Sequence, residues 1–252
     1  MLTRVILHQH NFRFTGTQTL FVFNSSNETI MERKIYSGIA LIAVLILGIA
    51  FFKGDKPVEK SDFPWHIEHP SDDTTRIFGI TLGESNTHEA EQHFKEVANP
   101  ILFKSPSGRL VVEVFFEEVN LAGLKARIVL SIAVPDSELQ GMFERGLRMN
   151  ATGSGKEITL VPDDIARVFT MPITSLTYMP ATRLEDAVFS KRFGQPQLRV
   201  KEKKSGAIHW LYPQNGLDIT LGGSEKPLLQ YVAPKNFDKL FQPLLANGEV
   251  LQ

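Results

Sequence analysis

Cysteine is absent from this 252-residue chain. Its absence excludes disulfides, thiolate metal sites, cysteine nucleophiles and a lipid-modified cysteine anchor. An excess of one charge sign is missing too, with 27 Lys and Arg against 28 Asp and Glu. A nucleic-acid binder normally carries a basic footprint, so this balance points away from nucleic acid as a partner. Long apolar runs are lacking everywhere except in one place.

That place is Ile35 to Phe52 (IYSGIALIAVLILGIAFF), which contains no charged residue. As a helix it would cover roughly 27 Å, close to the ~30 Å hydrocarbon core of a bilayer. Three readings compete. A buried core helix would show a polar stripe, and only Tyr36 and Ser37 interrupt this run. A cleaved secretory signal has a basic start in Arg33 and Lys34 and small residues at Gly48-Ile49-Ala50. An uncleaved signal anchor is favoured, because the run continues to Lys53. Its anchoring side chains are Ile35, Ile39, Leu41, Ile42, Val44, Leu45, Ile46, Leu47, Ile49, Phe51 and Phe52. The Lys and Arg flanks are balanced, so orientation rests on simplicity. A single amino-terminal span most simply places the large body on the periplasmic, extracytoplasmic side.

Residues 1–30 fit no export signal and are expected to be a non-native or disordered extension, with translation starting at Met31. Asn27-Glu28-Thr29 and Asn150-Ala151-Thr152 match a glycosylation acceptor pattern that recurs often by chance. Residues 31–52 are the anchor, and 53–74, rich in charge and proline, read as a tether.

Beyond the tether the chain reads as two related α+β units, 75–150 and 151–252. At a constant offset of 96 residues, Ile77, Thr81, Glu89, Lys95, Pro100 and Leu102 match Ile173, Thr177, Glu185, Lys191, Pro196 and Leu198. Asn86-x-x-Glu89 and Thr182-x-x-Glu185 coincide under that offset, and both are capping-box patterns. The first unit is expected to hold a strand at Arg76–Leu82, a helix at Thr87–Val97, alternating strands at Leu110–Phe116 and Leu124–Ile132, and a helix at Ser137–Met149. The second is expected to hold helices at Asp163–Phe169 and Arg183–Phe193. Strands follow at Leu198–Lys203, Ile208–Tyr212, Leu217–Leu221 and Leu228–Val232, then a helix at Asn236–Leu245. The expected fold class is therefore α+β: one amino-terminal transmembrane helix, then two related units of helices packed on antiparallel sheets.

Leu176-Thr177-Tyr178, the helix ending in Phe193-Gly194-Gln195-Pro196, and Trp210-x-Tyr212 ahead of a meander carry a resemblance. The stretch Ile173–Val232 resembles small envelope lipoproteins of the SmpA/OmlA type, whose fold is shared with the β-lactamase inhibitory protein. Two departures stand out: the lipobox cysteine is absent, and the first unit has Ala98-Asn99-Pro100 in place of Gly-Gln-Pro. The resemblance implies a role in envelope assembly or protein binding rather than catalysis.

Candidate chemistry is sparse. Gly153-Ser154-Gly155-Lys156 lacks the first glycine and the Ser or Thr of a phosphate loop, and reads as a linker. His66, Glu68, His69, Asp72 and Asp73 crowd together, but in a tether without fixed geometry, so no metal or cofactor is expected. His88 and His93 do not share a helix face, and no Ser-His-Asp arrangement is recognisable. Arg199, Lys201 and Lys203 share one strand face and could meet an acidic partner or anionic headgroup, with Trp210 and Tyr212 as an aromatic platform or as core. The expected role is a membrane-anchored, non-catalytic scaffold that binds another envelope protein. The competing reading is an enzyme or small-ligand sensor acting on an envelope substrate. Nothing in the sequence sets an oligomeric state.

Overall fold

Alternating apolar residues between turn signals build a long antiparallel meander, and in the computed structural model these strands join into one sheet. The structure describes residues 60–153, 155–222 and 226–251, which belong to a unit spanning Pro57–Gln252. The strands are β1 (Arg76–Ile77), β2 (Ile80–Thr81), β3 (Asn99–Lys104), β4 (Leu110–Leu121), β5 (Leu124–Ile132), β6 (Arg148–Thr152), β7 (Gly155–Thr159), β8 (Ile173–Pro180), β9 (Leu198–Glu202), β10 (Ile208–Tyr212), β11 (Leu217–Leu221), β12 (Leu228–Val232) and β13 (Gly248–Leu251). Five short helices accompany them: α1 (Thr87–Phe94), α2 (Asp136–Arg145), α3 (Pro162–Phe169), α4 (Asp186–Phe193) and α5 (Phe237–Asn247).

β1 and β2 form a small hairpin of their own. The other eleven strands make one antiparallel sheet in the order β13-β9-β10-β11-β12-β8-β5-β4-β3-β7-β6. This corrects the expected fold class. The described chain is mostly β, and its strands do not divide into two sheets, because β8 pairs with β12 on one side and with β5 on the other. The 96-residue offset fails for the same reason. Ile77 lies in the small hairpin, whereas its counterpart Ile173 starts the strand at the sheet's centre.

The capping patterns diverge as well. Asn86 caps α1, its Oδ1 accepting from the Glu89 N–H at 3.1 Å. α4 starts at Asp186 with Glu185 as its cap residue and no side-chain capping bond. The expected transmembrane helix falls on Ile35–Phe52, outside the described residues. Among the described residues no helix is long and apolar enough to cross a membrane.

Other corrections are local. The helix expected over Ser137–Met149 stops at Arg145, because the chain must pass Ile158 closely: a Cβ on Gly146 would lie 2.3 Å from that side chain. β6 and β7 then pair antiparallel with Thr152 opposite Gly155, so Gly155 belongs to this hairpin rather than to a linker between units. Residues 60–74 of the expected tether lie against the body: the Tyr231 hydroxyl donates to the Pro64 carbonyl at 2.7 Å, and the Arg192 guanidinium sits 4.3 Å over the Trp65 ring.

One face of the sheet carries the main core. Leu102, Val112, Val114, Phe116, Ile128, Leu130, Leu176, Tyr178, Ile219, Leu229 and Tyr231 are buried there. Apolar side chains of α1, α2, α3 and α4 pack onto them. Arg145 Nε donates to Asp164 at 2.8 Å and Arg167 pairs with Glu138, tying α2 to α3. On the other face a smaller cluster of Val200, Leu211, Val232 and Phe237 holds α5 through Leu240, Phe241 and Leu244.

The turn after β10 fixes the register of this half. Gly216 has φ 59°, and a Cβ there would lie 2.0 Å from the Val232 carbonyl oxygen. Gly216→Ala is expected to cost about 2–4 kcal/mol, read as a lower urea midpoint with an unchanged slope.

Candidate functional site

Strand alternation sends every second side chain to the face opposite the main core. Over β3, β4, β5 and β8 the apolar side chains of that second face stay half-buried among the described residues, since the apolar cluster that holds α5 draws on β9, β10 and β12 and α5 reaches Ser131 and Ser175 as one wall of a hollow. Register places Phe115 beside Val129 and Val129 beside Thr177. A second row runs Ile101, Glu113, Ser131, Ser175, and a third sets Phe103 beside Val111. Ile101, Phe103, Val111, Phe115, Val129 and Met179 are all half-buried rather than covered. The Phe103 and Phe115 rings lie 5.9 Å apart. A contiguous apolar patch that stays wet on a folded surface marks an interaction surface more often than isolated exposed residues do.

Polar groups punctuate this face. Burial raises the Glu113 carboxyl above its ordinary 4.5, so its charge sits uneasily among the apolar neighbours. Arg127 pairs with Glu117 at 2.6 Å. Ser175 donates to Ser131 at 2.8 Å across β8 and β5. Two hollows lie at opposite ends of β8. One, of about 1040 Å³, is bounded by Ser131, Ser175, Gln230, Leu240 and α2 residues. The other, of about 690 Å³, is bounded by Lys125, Arg127, Met179, Pro180, Thr220 and Leu228.

The structure separates the residues singled out from sequence. Trp210 and Tyr212 are buried in the main core, on the helix-covered face, with the Tyr212 hydroxyl donating to the Gly194 carbonyl at 3.0 Å. Arg199 stacks its guanidinium 4.5 Å over Trp210 and reaches Gln195, so its charge is partly engaged. Lys201 and Lys203 are exposed near the β13 edge. These five residues share the region of β9 and β10 and lie apart from the open patch. The anchor residues Ile35 to Phe52 fall outside the described residues.

His66 pairs with Glu68 at 3.0 Å, and His69 Nδ1 lies 3.0 Å from the Thr74 carbonyl. Among the described residues no group of three or more His, Asp or Glu is placed to hold a metal ion. The closest approach to acid–base machinery is His209 Nδ1 at 2.8 Å from Asp218, with Thr220 at 3.3 Å, but both partners are buried.

Sequence reading missed the open patch although a signal was present. Leu110 to Phe116 is apolar at every position except Glu113, which is the pattern of a strand with apolar contacts on both faces rather than one. Compared with protein-family models, curated proteins and solved structures, the chain matches none.

Proposed function

We propose that this chain is a non-catalytic protein-binding component of a cell envelope, held at a membrane by Ile35–Phe52 and engaging another envelope protein through the open sheet face. The observation that carries the reading is the half-buried patch of Ile101, Phe103, Val111, Phe115, Val129 and Met179 on four adjacent strands. Aromatic and aliphatic side chains held rigidly on strands offer contact area at small entropic cost, the property that interface anchors share. The uncharged apolar run Ile35–Phe52 and the resemblance to small envelope lipoproteins favour the same role. An enzyme would instead favour converging carboxylates or imidazoles in an accessible cleft.

Site-specific photocrosslinking in intact membranes tests this function. A crosslinker at Phe115 or Val129 is expected to give one discrete protein adduct, while the same group at Glu144, exposed on α2, gives none. Val111→Glu is expected to reduce the Phe115 adduct by about tenfold without lowering the melting temperature much, since it places a charge in the contact. Equal labelling from both faces, or recovery of the full-length chain in the high-speed supernatant, would defeat the proposal.

A further inference from the structure

An open sheet ends in two edges, and here they differ. β13 is four residues long, follows α5 directly and carries the exposed carboxylate Glu249. β6 exposes Arg148, Met149, Asn150 and Ala151, with Met149 at 46% and the preceding Leu147 at 66% of full exposure. Edge strands present unpaired N–H and C=O groups, and folded proteins usually guard them with lysine, proline, a bulge or a covering element. β6 has no proline, no lysine and no acidic residue, and its five-residue register with β7 is unbroken. Its one charge, Arg148, stands at its start.

We propose that β6 pairs antiparallel with β6 of a second copy of this chain, joining two sheets about a twofold axis at Asn150. The sequence around that centre is self-complementary. Asn150 faces Asn150 of the second copy, Met149 faces Ala151, and Arg148 faces Thr152. Large thus meets small, and no like charges are opposed. Met149 lies in register with Ile158, and Ile158 with Leu102 of the core. Pairing therefore extends that apolar row across the junction and covers Met149. Alternate residues of each strand turn their backbone groups outward, giving about four new hydrogen bonds. A foreign extended peptide would need none of this symmetry about Asn150, and it becomes an outcome of the test. This edge is separate from the open face, so the inference stands whether or not that face binds an envelope protein.

The absence of cysteine makes the test clean. In the full chain in detergent, Asn150→Cys supplies the only thiol. Across the axis its Cα atoms would approach to about 4.5–5.5 Å, within the range a disulfide spans. Light scattering of the wild type is expected to give a dimer mass. Mild oxidation should convert Asn150→Cys into a covalent dimer, while Glu144→Cys on α2 stays uncrosslinked. Met149→Lys is expected to weaken dimerisation by about tenfold with an unchanged melting temperature, because it guards the edge. A wild type that is monomeric at every concentration would overturn the proposal. So would a dimer in which Asn150→Cys does not crosslink and Met149→Lys has no effect.

Discussion

Phe78→Ala is expected to lose about 3–5 kcal/mol, a large share of the stability of an ordinary domain, and to leave the chain partly unfolded at 37 °C. Phe78 is fully buried, its ring 5.1 Å from Tyr178 and 6.3 Å from Tyr231. It sits there at φ 49°, with Gly79 following at φ 73°. Both central residues of the two-residue turn between β1 and β2 thus have positive φ, a conformation that a bulky residue adopts only under compulsion. The compulsion is the core itself, since only this turn points the ring between two buried tyrosines. Phe78→Gly separates the two effects. It relieves the backbone but empties the same cavity, so it should be no more than about 1 kcal/mol better than Phe78→Ala. Urea denaturation of both variants measures the difference, and a Phe78→Ala loss below about 1 kcal/mol would show that the ring is dispensable.

Asp218→Ala is expected to cost a similar amount, about 3–5 kcal/mol, because it leaves the buried His209 imidazole without its acceptor. The side chains of His209 and Asp218 are 11% and 3% exposed. Burial pulls the His209 pKa down, but the hydrogen bond and charge of Asp218, with Glu202 adding, more than offset this and leave it above its ordinary 6.5. Burial raises the Asp218 carboxyl above 3.8, against the opposing pull of His209. Both shifts have the same sign for stability, since the folded state holds each proton more tightly than the unfolded chain. The His209 contribution is fully present below pH 6.5 and is lost as pH rises through its raised folded value. The Asp218 contribution is present below pH 3.8 and is lost as pH rises through its own raised value. Melting temperature is therefore expected to fall as pH increases above 6.5, and Asp218→Asn should flatten that fall. An equal slope in wild type and Asp218→Asn would assign the pH dependence to other groups.

The elements that sequence made legible share a cause. β10, β11 and β12 fall at the expected residues, because Gly206, Pro213 to Gly216 and Gly222 punctuate a clean alternation. α1 begins at Thr87 as expected because Asn86 and Glu89 satisfy its first turn locally. What escaped depends on partners distant in the chain. The pairing of β5 with β8 is written in no local pattern, so one sheet looked like two. β6 and β13 are short edges whose residues carry almost no alternation of burial. By sequence Phe78-Gly79 falls in the middle of one expected strand, since a turn with a phenylalanine at positive φ violates local preference and is justified only by the core.

β8 sits between its two neighbours like a keystone, and this governs how the protein is made. Pro64 waits for Tyr231, and Thr75 donates to the Val232 carbonyl at 3.1 Å, so these two residues find those partners only after residue 232 has left the ribosome. Contacts of such sequence span close slowly and late. Until they do, the edge of β8 that β12 covers stays bare, and a newborn chain of this kind depends on something to shield it from sticking to its neighbours.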